Sequence, residues 1–203
     1  MKLGILGGSF NPIHNGHLAM AEAARKAHAL DLVIFVPAGK PPHKHSDLAP
    51  AEDRLEMVRR ALEGLSGFVA SDVEVSRPGT SYTVDTLDEM KRRYLGDELF
   101  FIIGEDSIPE LRGWKSPGRI LELARIVAVN RPGSKAHFQA ENFPHATRET
   151  LRRLEKDRVT MPPSPQESRR IRQAVRLGDP IDLDVPPAVA AYIREKGLYR
   201  GSR

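Results

Sequence analysis

The chain has 203 residues, 40% hydrophobic and 29% charged, with 31 Lys+Arg, 27 Asp+Glu and no cysteine. That length suits one α/β domain with a proper core, while no apolar run reaches membrane-spanning length and the absence of cysteine excludes disulfides and thiol chemistry. A formal charge of +4 fits a phosphate-rich small substrate, whereas nucleic-acid binding would rest on that charge alone, since aromatics make up only 6% and do not interleave with basic residues.

The first predicted element is a strand. Leu3-Gly4-Ile5-Leu6 is a short apolar run, too brief for a helix, and Gly7-Gly8 closes it. Beyond Asn15, a candidate N-cap, Leu18, Ala19, Ala23 and Ala24 recur at helical spacing. A strand, a glycine turn and a helix N-terminus in that order aim N–H groups at a space where an anion is welcome. Neither the dinucleotide pattern G-x-G-x-x-G nor the P-loop is present. In their place stands His14-x-Gly16-His17, two imidazoles able to donate to phosphate oxygens, or, read alone, to hold a metal or lie on an ordinary loop.

The run Gly8-Ser9-Phe10-Asn11-Pro12-Ile13-His14-Asn15-Gly16-His17 resembles the signature of the (H/T)-x-G-H nucleotidyltransferases, and within them the bacterial nicotinate mononucleotide adenylyltransferases. The resemblance implies one Rossmann-like, doubly wound parallel α/β domain over residues 1–203, working in the cytoplasm. A C-terminal helical part at about 163–200 would complete the ATP site. It also implies that Gly8, Ser9, Phe10, His14, Gly16 and His17 meet ATP.

In chain order, Asp31-Leu32-Val33-Ile34-Phe35-Val36-Pro37 reads as a second buried strand. The loop after it, with Lys40, Pro41, Pro42, His43 and Lys44, lies where open α/β sheets bind ligands. It resembles the family's Pro-Pro-His-Lys segment, which implies that Lys40, His43 and Lys44 face phosphates. Pro50 to Leu65 is an amphipathic helix on Leu55, Val58 and Leu62, with Arg54 read as a solvated residue, although by family likeness an arginine in the matching place can reach ligand. Phe68-Val69-Ala70 and Val73-Glu74-Val75 are strand candidates. Thr80 to Leu87 opens a helix in which Thr83 is the expected cap. That segment resembles the family's Ser-Tyr-Thr-x-Asp-Thr-Leu stretch, which implies that Tyr82 and Thr86 lie at the pyridine carboxylate.

Glu98 to Ile103 is a further strand, followed by Gly104-Glu105-Asp106 and the single tryptophan, Trp114. The resemblance implies that Asp106 contacts nucleotide and that Trp114 stacks on the nicotinate ring; a single tryptophan by itself is more often a core residue than a ligand platform. Ser116-Pro117 starts another helix with cap and N1 proline in the preferred order. Arg125 to Val129 is a strand that ends at Arg131, a phosphate candidate by family likeness. Residues 134–145 read as a mobile loop, and a helix to about Lys156 and the strand Val159-Thr160-Met161 complete a sheet with right-handed crossovers.

The C-terminal third departs from the pattern. The family's Ile-Ser-Ser-Thr-x-Ile-Arg corresponds here to Gln166-Glu167-Ser168-Arg169-Arg170-Ile171-Arg172. Ser168 and Arg172 remain as ATP contacts, whereas Glu167 and Arg169 replace a serine and the threonine. A glutamate opposes a triphosphate and an added arginine can replace a lost hydroxyl contact.

The chemistry implied is transfer of AMP from ATP, with Mg²⁺, to nicotinate mononucleotide, giving deamido-NAD and pyrophosphate. His14, His17 and Lys44 are the catalytic candidates. Lys40, Lys44, Tyr82, Thr86, Trp114 and Arg131 are the candidates for the mononucleotide. The alternatives are another acceptor, such as nicotinamide mononucleotide or phosphopantetheine, and a degenerate homologue that binds nucleotide without efficient transfer. The sequence leaves oligomeric state, including a homo-oligomer, open.

Overall fold

A computed structural model describes residues 1–42, 47–130, 143 and 146–201. Six strands form one sheet: β1 (Lys2–Gly8), β2 (Leu32–Pro37), β3 (Phe68–Ala70), β4 (Glu98–Gly104), β5 (Arg125–Asn130) and β6 (Val159–Thr160). All neighbours pair in parallel, in the order β3-β2-β1-β4-β5-β6. Among the described residues seven helices accompany them: α1 (Asn15–His28), α2 (Ala51–Leu62), α3 (Thr83–Arg93), α4 (Pro117–Leu123), α5 (Arg148–Lys156), α6 (Ser168–Leu177) and α7 (Pro187–Lys196). A 3-10 segment, Glu105–Gly113, follows β4.

The central strands are apolar almost throughout because both sheet faces are covered. Successive residues of β4 alternate between two cores: Phe100 and Ile102 enter one, Phe101 and Ile103 the other. The first core also takes Met20 and Ala24 of α1, Met57 and Ala61 of α2, and Ala190 and Ile193 of α7. The second takes Leu87 and Met90 of α3, Ile120 of α4 and Leu154 of α5. The chain winds outward from β1 to β3, then returns to place β4 on the other side of β1. Ligands of such sheets bind beyond the strands' carboxyl ends at that reversal. The doubly wound reading of the sequence therefore holds, and among the described residues no helix is long and apolar enough to cross a membrane.

Four local expectations are corrected. Val73-Glu74-Val75 forms a turn, with the Ser76 N–H donating to the Asp72 carbonyl at 2.8 Å. The segment packs instead on Gly39, where an added Cβ would stand 2.1 Å from the Glu74 carbonyl oxygen. The cap of α1 is His14; Asn15 is already helical, and its N–H and Nδ2 donate to the Asp184 and Leu183 carbonyls at 2.9 and 3.0 Å. Thr83 is the first residue of α3 behind an N-cap at Tyr82 that makes no side-chain cap bond. Ser116 also makes none, because it adopts a left-handed conformation at φ +51°, although Pro117 stands in the first turn as expected. The loop reading for 134–145 lies outside the described residues apart from Phe143, a core residue.

Candidate functional site

The site is built on the turn that leaves β1. The Gly8 carbonyl accepts the Ala38 N–H at 2.9 Å, which fixes the ends of β1 and β2 side by side. Phe10 follows at φ +46°, a region that β-carbon-bearing residues seldom enter. Its ring is 1% exposed and lies between Phe35 and His17, with centroids 5.7 and 5.1 Å away. A cis peptide joins Asn11 to Pro12, and His14 then caps α1.

The two histidines stack, with ring centroids 3.7 Å apart and planes inclined by 28°. The His14 N–H donates to His17 Nδ1 at 3.3 Å. In the neutral ring this leaves the proton of His17 on Nε2. His14 is buried, whereas His17 is partly accessible. Gly16 leaves room for its neighbours: a Cβ would stand 2.7 Å from Ser164 Oγ and 3.0 Å from His14 Nδ1, so those side chains would have to shift.

Asn11 ties the turn to two distant segments. Its Nδ2 donates to the Asp47 carbonyl at 2.9 Å, and its Oδ1 accepts from the Ala49 N–H at 3.0 Å and the Tyr199 hydroxyl at 2.9 Å. Burial pushes the Tyr199 phenol well above its ordinary pKa, so the hydroxyl stays a donor. From α6, Ser168 Oγ donates to the Pro12 carbonyl and Arg172 Nη1 to the Asn11 carbonyl, both at 2.9 Å. Arg172 Nε is buried without an acceptor among the described residues. Glu167, Arg169 and Arg170 are exposed.

The loop beyond β2 turns against α3. Ser81 Oγ accepts the N–H groups of Gly39 and Lys40 at 3.0 and 3.2 Å, and the Ser81 N–H returns to the Lys40 carbonyl at 2.8 Å. The Lys40 side chain is exposed. Thr86 is buried; its hydroxyl donates to Glu74 Oε1 at 2.6 Å and accepts from Arg77 Nη2 at 3.0 Å, while its N–H donates to the Tyr82 carbonyl at 3.2 Å. Both polar groups of Thr86 are thus engaged within the fold. Lys115 holds Asp85 at 2.8 Å and lies 4.7 Å from the Tyr82 ring centroid, so the Trp114 segment adjoins the start of α3. Trp114 itself is half-buried, edge-on to Phe101 at 6.1 Å.

At the end of β4, Glu105 turns inward to an ion pair with Arg158 at 2.6 Å, and the adjacent Asp106 remains exposed. Among the described residues no three His, Cys, Asp or Glu side chains stand together as a metal site. A hard cation arriving on a polyphosphate would find its oxygen ligands there and in water.

Sequence expectation and structure meet at Gly8, Ser9, Phe10, His14, Gly16 and His17, onto whose turn Ser168 and Arg172 are hydrogen-bonded. Lys40 and Asp106 follow the strands on either side of β1, and Tyr82, Thr86 and Trp114 gather around α3. His43, Lys44 and Arg131 lie outside the described residues. The reading of Arg54 as solvated is overturned: its side chain is 0% exposed and meets three main-chain carbonyls. A signal existed, since Arg54 precedes Met57, Val58 and Ala61 at helical spacing and so falls on the apolar stripe.

A profile of cytidylyltransferase-like proteins matches residues 5–174. A protein of Citrifermentans bemidjiense named "Probable nicotinate-nucleotide adenylyltransferase" is 43% identical over 222 residues, covering 100% of both chains. A Thermus thermophilus protein of the same name is 42% identical over 200 residues, covering 98% of this chain and 100% of its own. Among solved structures, Plasmodium falciparum nicotinic acid mononucleotide adenylyltransferase complexed with NaAD shares the fold at TM-score 0.75 and 18% identity, covering 98% of this chain and 97% of that one.

Proposed function

The chain belongs to the cytidylyltransferase-like family, and we propose that it transfers AMP from ATP to nicotinate mononucleotide, yielding deamido-NAD and pyrophosphate. The observation that carries this reading is the convergence of the glycine turn, the stacked His14–His17 pair and the α6 residues Ser168 and Arg172 at the reversal of strand order. The nicotinate-nucleotide names of full-length relatives above 40% identity support the acceptor.

In the reaction, a phosphate oxygen of the mononucleotide forms a bond to the α-phosphorus of ATP, and the bond to the pyrophosphate oxygen breaks. The nucleophile is already anionic near neutral pH, so no general base is required. The site supplies alignment and charge neutralisation. The Nε2–H of His17 donates to an α-phosphate oxygen as charge accumulates there, and His14 holds the cap from which His17 is aimed. Gly8, Ser9 and Phe10 offer N–H groups, and Asp106 contacts the nucleotide. Arg172, whose buried Nε has no acceptor among the described residues, and Ser168 serve the polyphosphate from α6. Mg²⁺ enters with ATP as part of the substrate and shields its phosphates.

Lys40, Lys44 and Arg131 would hold the mononucleotide phosphate, and Tyr82 and Trp114 would flank the pyridine. Because Thr86 is bonded within the fold, its contribution is to brace the start of α3. The leading N–H groups of that helix, at Thr83 and Val84, have no intrahelical acceptor and suit a carboxylate.

The test is incubation with MgATP and nicotinate mononucleotide, followed by assay of both products. Equimolar deamido-NAD and pyrophosphate are expected. A second reading draws on Glu167 and Arg169: a protein that binds nucleotide without turnover, which calorimetric ATP binding with no pyrophosphate release would favour.

A further inference from the structure

Arg54 is the largest fully buried side chain among the described residues, and nothing in the reaction above uses it. Its burial is costly: removal from water pushes the guanidinium below its ordinary pKa. A leucine or methionine would fill the same place on the apolar stripe of α2 without that penalty. What the arginine adds is directional. Nη1 donates to the Ser9 carbonyl at 2.8 Å, Nη2 to the Gly39 carbonyl at 3.1 Å, and Nε to the Ala49 carbonyl at 2.9 Å. These carbonyls belong to the turn after β1, the loop after β2 and the residues ahead of α2. A planar fork with donors in fixed directions holds three segments at once, which a point-like ammonium does not.

We infer that Arg54 is the positioning residue of the phosphate-binding turn, drawing the Ser9 carbonyl inward and so turning the Phe10 N–H outward toward the substrate anion. The inference rests on the adenylyltransferase reading of the site. The Ser9 carbonyl and the Phe10 N–H share one trans peptide plane and therefore point in opposite directions. The same rule is visible at Gly39: its carbonyl faces Arg54, and the Lys40 N–H leaves on the other side, to Ser81 Oγ. Phe10 itself is held at φ +46°. A bulky residue stays in that region only where its surroundings over-determine it. Arg54 from below and the packing of the Phe10 ring against Phe35 and His17 provide that determination. The arrangement also leaves a positive charge, hydrogen-bonded to three carbonyls and within electrostatic reach of Glu74, beneath the place where polyphosphate binds.

The experiment compares the native chain with Arg54→Lys, which keeps the charge and loses the fork, and Arg54→Met, which loses both. Leu154→Ala, in the second core and away from the site, is the benchmark for lost stability alone. Pyrophosphate release is measured per folded molecule, and the Phe10 amide resonance is followed as inorganic pyrophosphate is added. Arg54→Lys is expected to lower kcat about 10- to 100-fold while KM for the mononucleotide moves less than about twofold. The pyrophosphate-induced shift of the Phe10 amide, present in the native chain, is expected to vanish in both Arg54 variants and persist in Leu154→Ala. Native kcat in Arg54→Lys, an unchanged Phe10 shift, or an equal loss of kcat in Leu154→Ala would overturn the inference. A native chain that shifts Phe10 with pyrophosphate yet transfers no AMP would refute the adenylyltransferase reading, and the shift in the variants would then decide the role of Arg54.

Discussion

The Tyr199 hydroxyl and the Asn11 carboxamide, 188 positions apart, meet in a 2.9 Å hydrogen bond beneath the candidate site. The contact makes the end of the chain part of the motif's support. Tyr199→Phe removes one donor but leaves the Asn11 oxygen bonded to the Ala49 N–H. It is expected to cost about 1 kcal/mol in urea unfolding. Asn11→Ala breaks three bonds and is expected to cost about 3 kcal/mol. An unchanged urea midpoint in both variants would show that the latch contributes nothing.

The exposed Glu167 stands at the N-cap of α6, one residue before Ser168, and makes no side-chain cap bond. A negative charge there opposes a triphosphate held by Ser168 and Arg172. Glu167→Ser removes it and supplies a capping hydroxyl. KM for ATP is expected to fall about 5-fold, the equivalent of roughly 1 kcal/mol of like-charge repulsion relieved near water. An unaltered KM in steady-state kinetics would mean that this carboxylate never faces the nucleotide.

Alkaline pH tests the packing of α2 on α7. Burial, then a 2.7 Å hydrogen bond to Asp53, pushes the Tyr192 phenol from its ordinary 10.0 up to about 12. The folded chain therefore holds this proton more tightly than the unfolded chain does. Stability fully present below the ordinary value is lost as pH rises through the folded one. Urea midpoints across that range are expected to fall more steeply for the native chain than for Tyr192→Phe. Parallel slopes would contradict the assignment.

What could be read in advance divides by the range of the forces involved. The strand of β1, its glycine turn and the helix behind it were legible because their signals are local: a brief apolar run, two glycines and a helical stripe. The doubly wound sheet followed from the alternation of such signals. The partners of Arg54 and Thr86 were not legible, because they are carbonyls, a carboxylate and a guanidinium brought together by folding over separations of 5 to 45 residues. Val73-Glu74-Val75 has strand-forming composition, yet its conformation is set by the close approach of Gly39. Thr83 and Ser116 carry hydroxyls at helix starts, but backbone angle and position, not residue type, decide whether a hydroxyl caps.

Transfer of AMP to an acidic pyridine mononucleotide is decided by pyrophosphate release with MgATP, offering nicotinate mononucleotide and nicotinamide mononucleotide in parallel. A carboxylate accepts from the N–H groups that open α3, which have no intrahelical acceptor, whereas an amide NH₂ sets its own hydrogens against them. Rapid release is expected with the acid, and a kcat/KM at least about 100-fold lower with the amide, a difference of roughly 2.7 kcal/mol. Equal rates with both acceptors, or release with neither, would contradict that assignment.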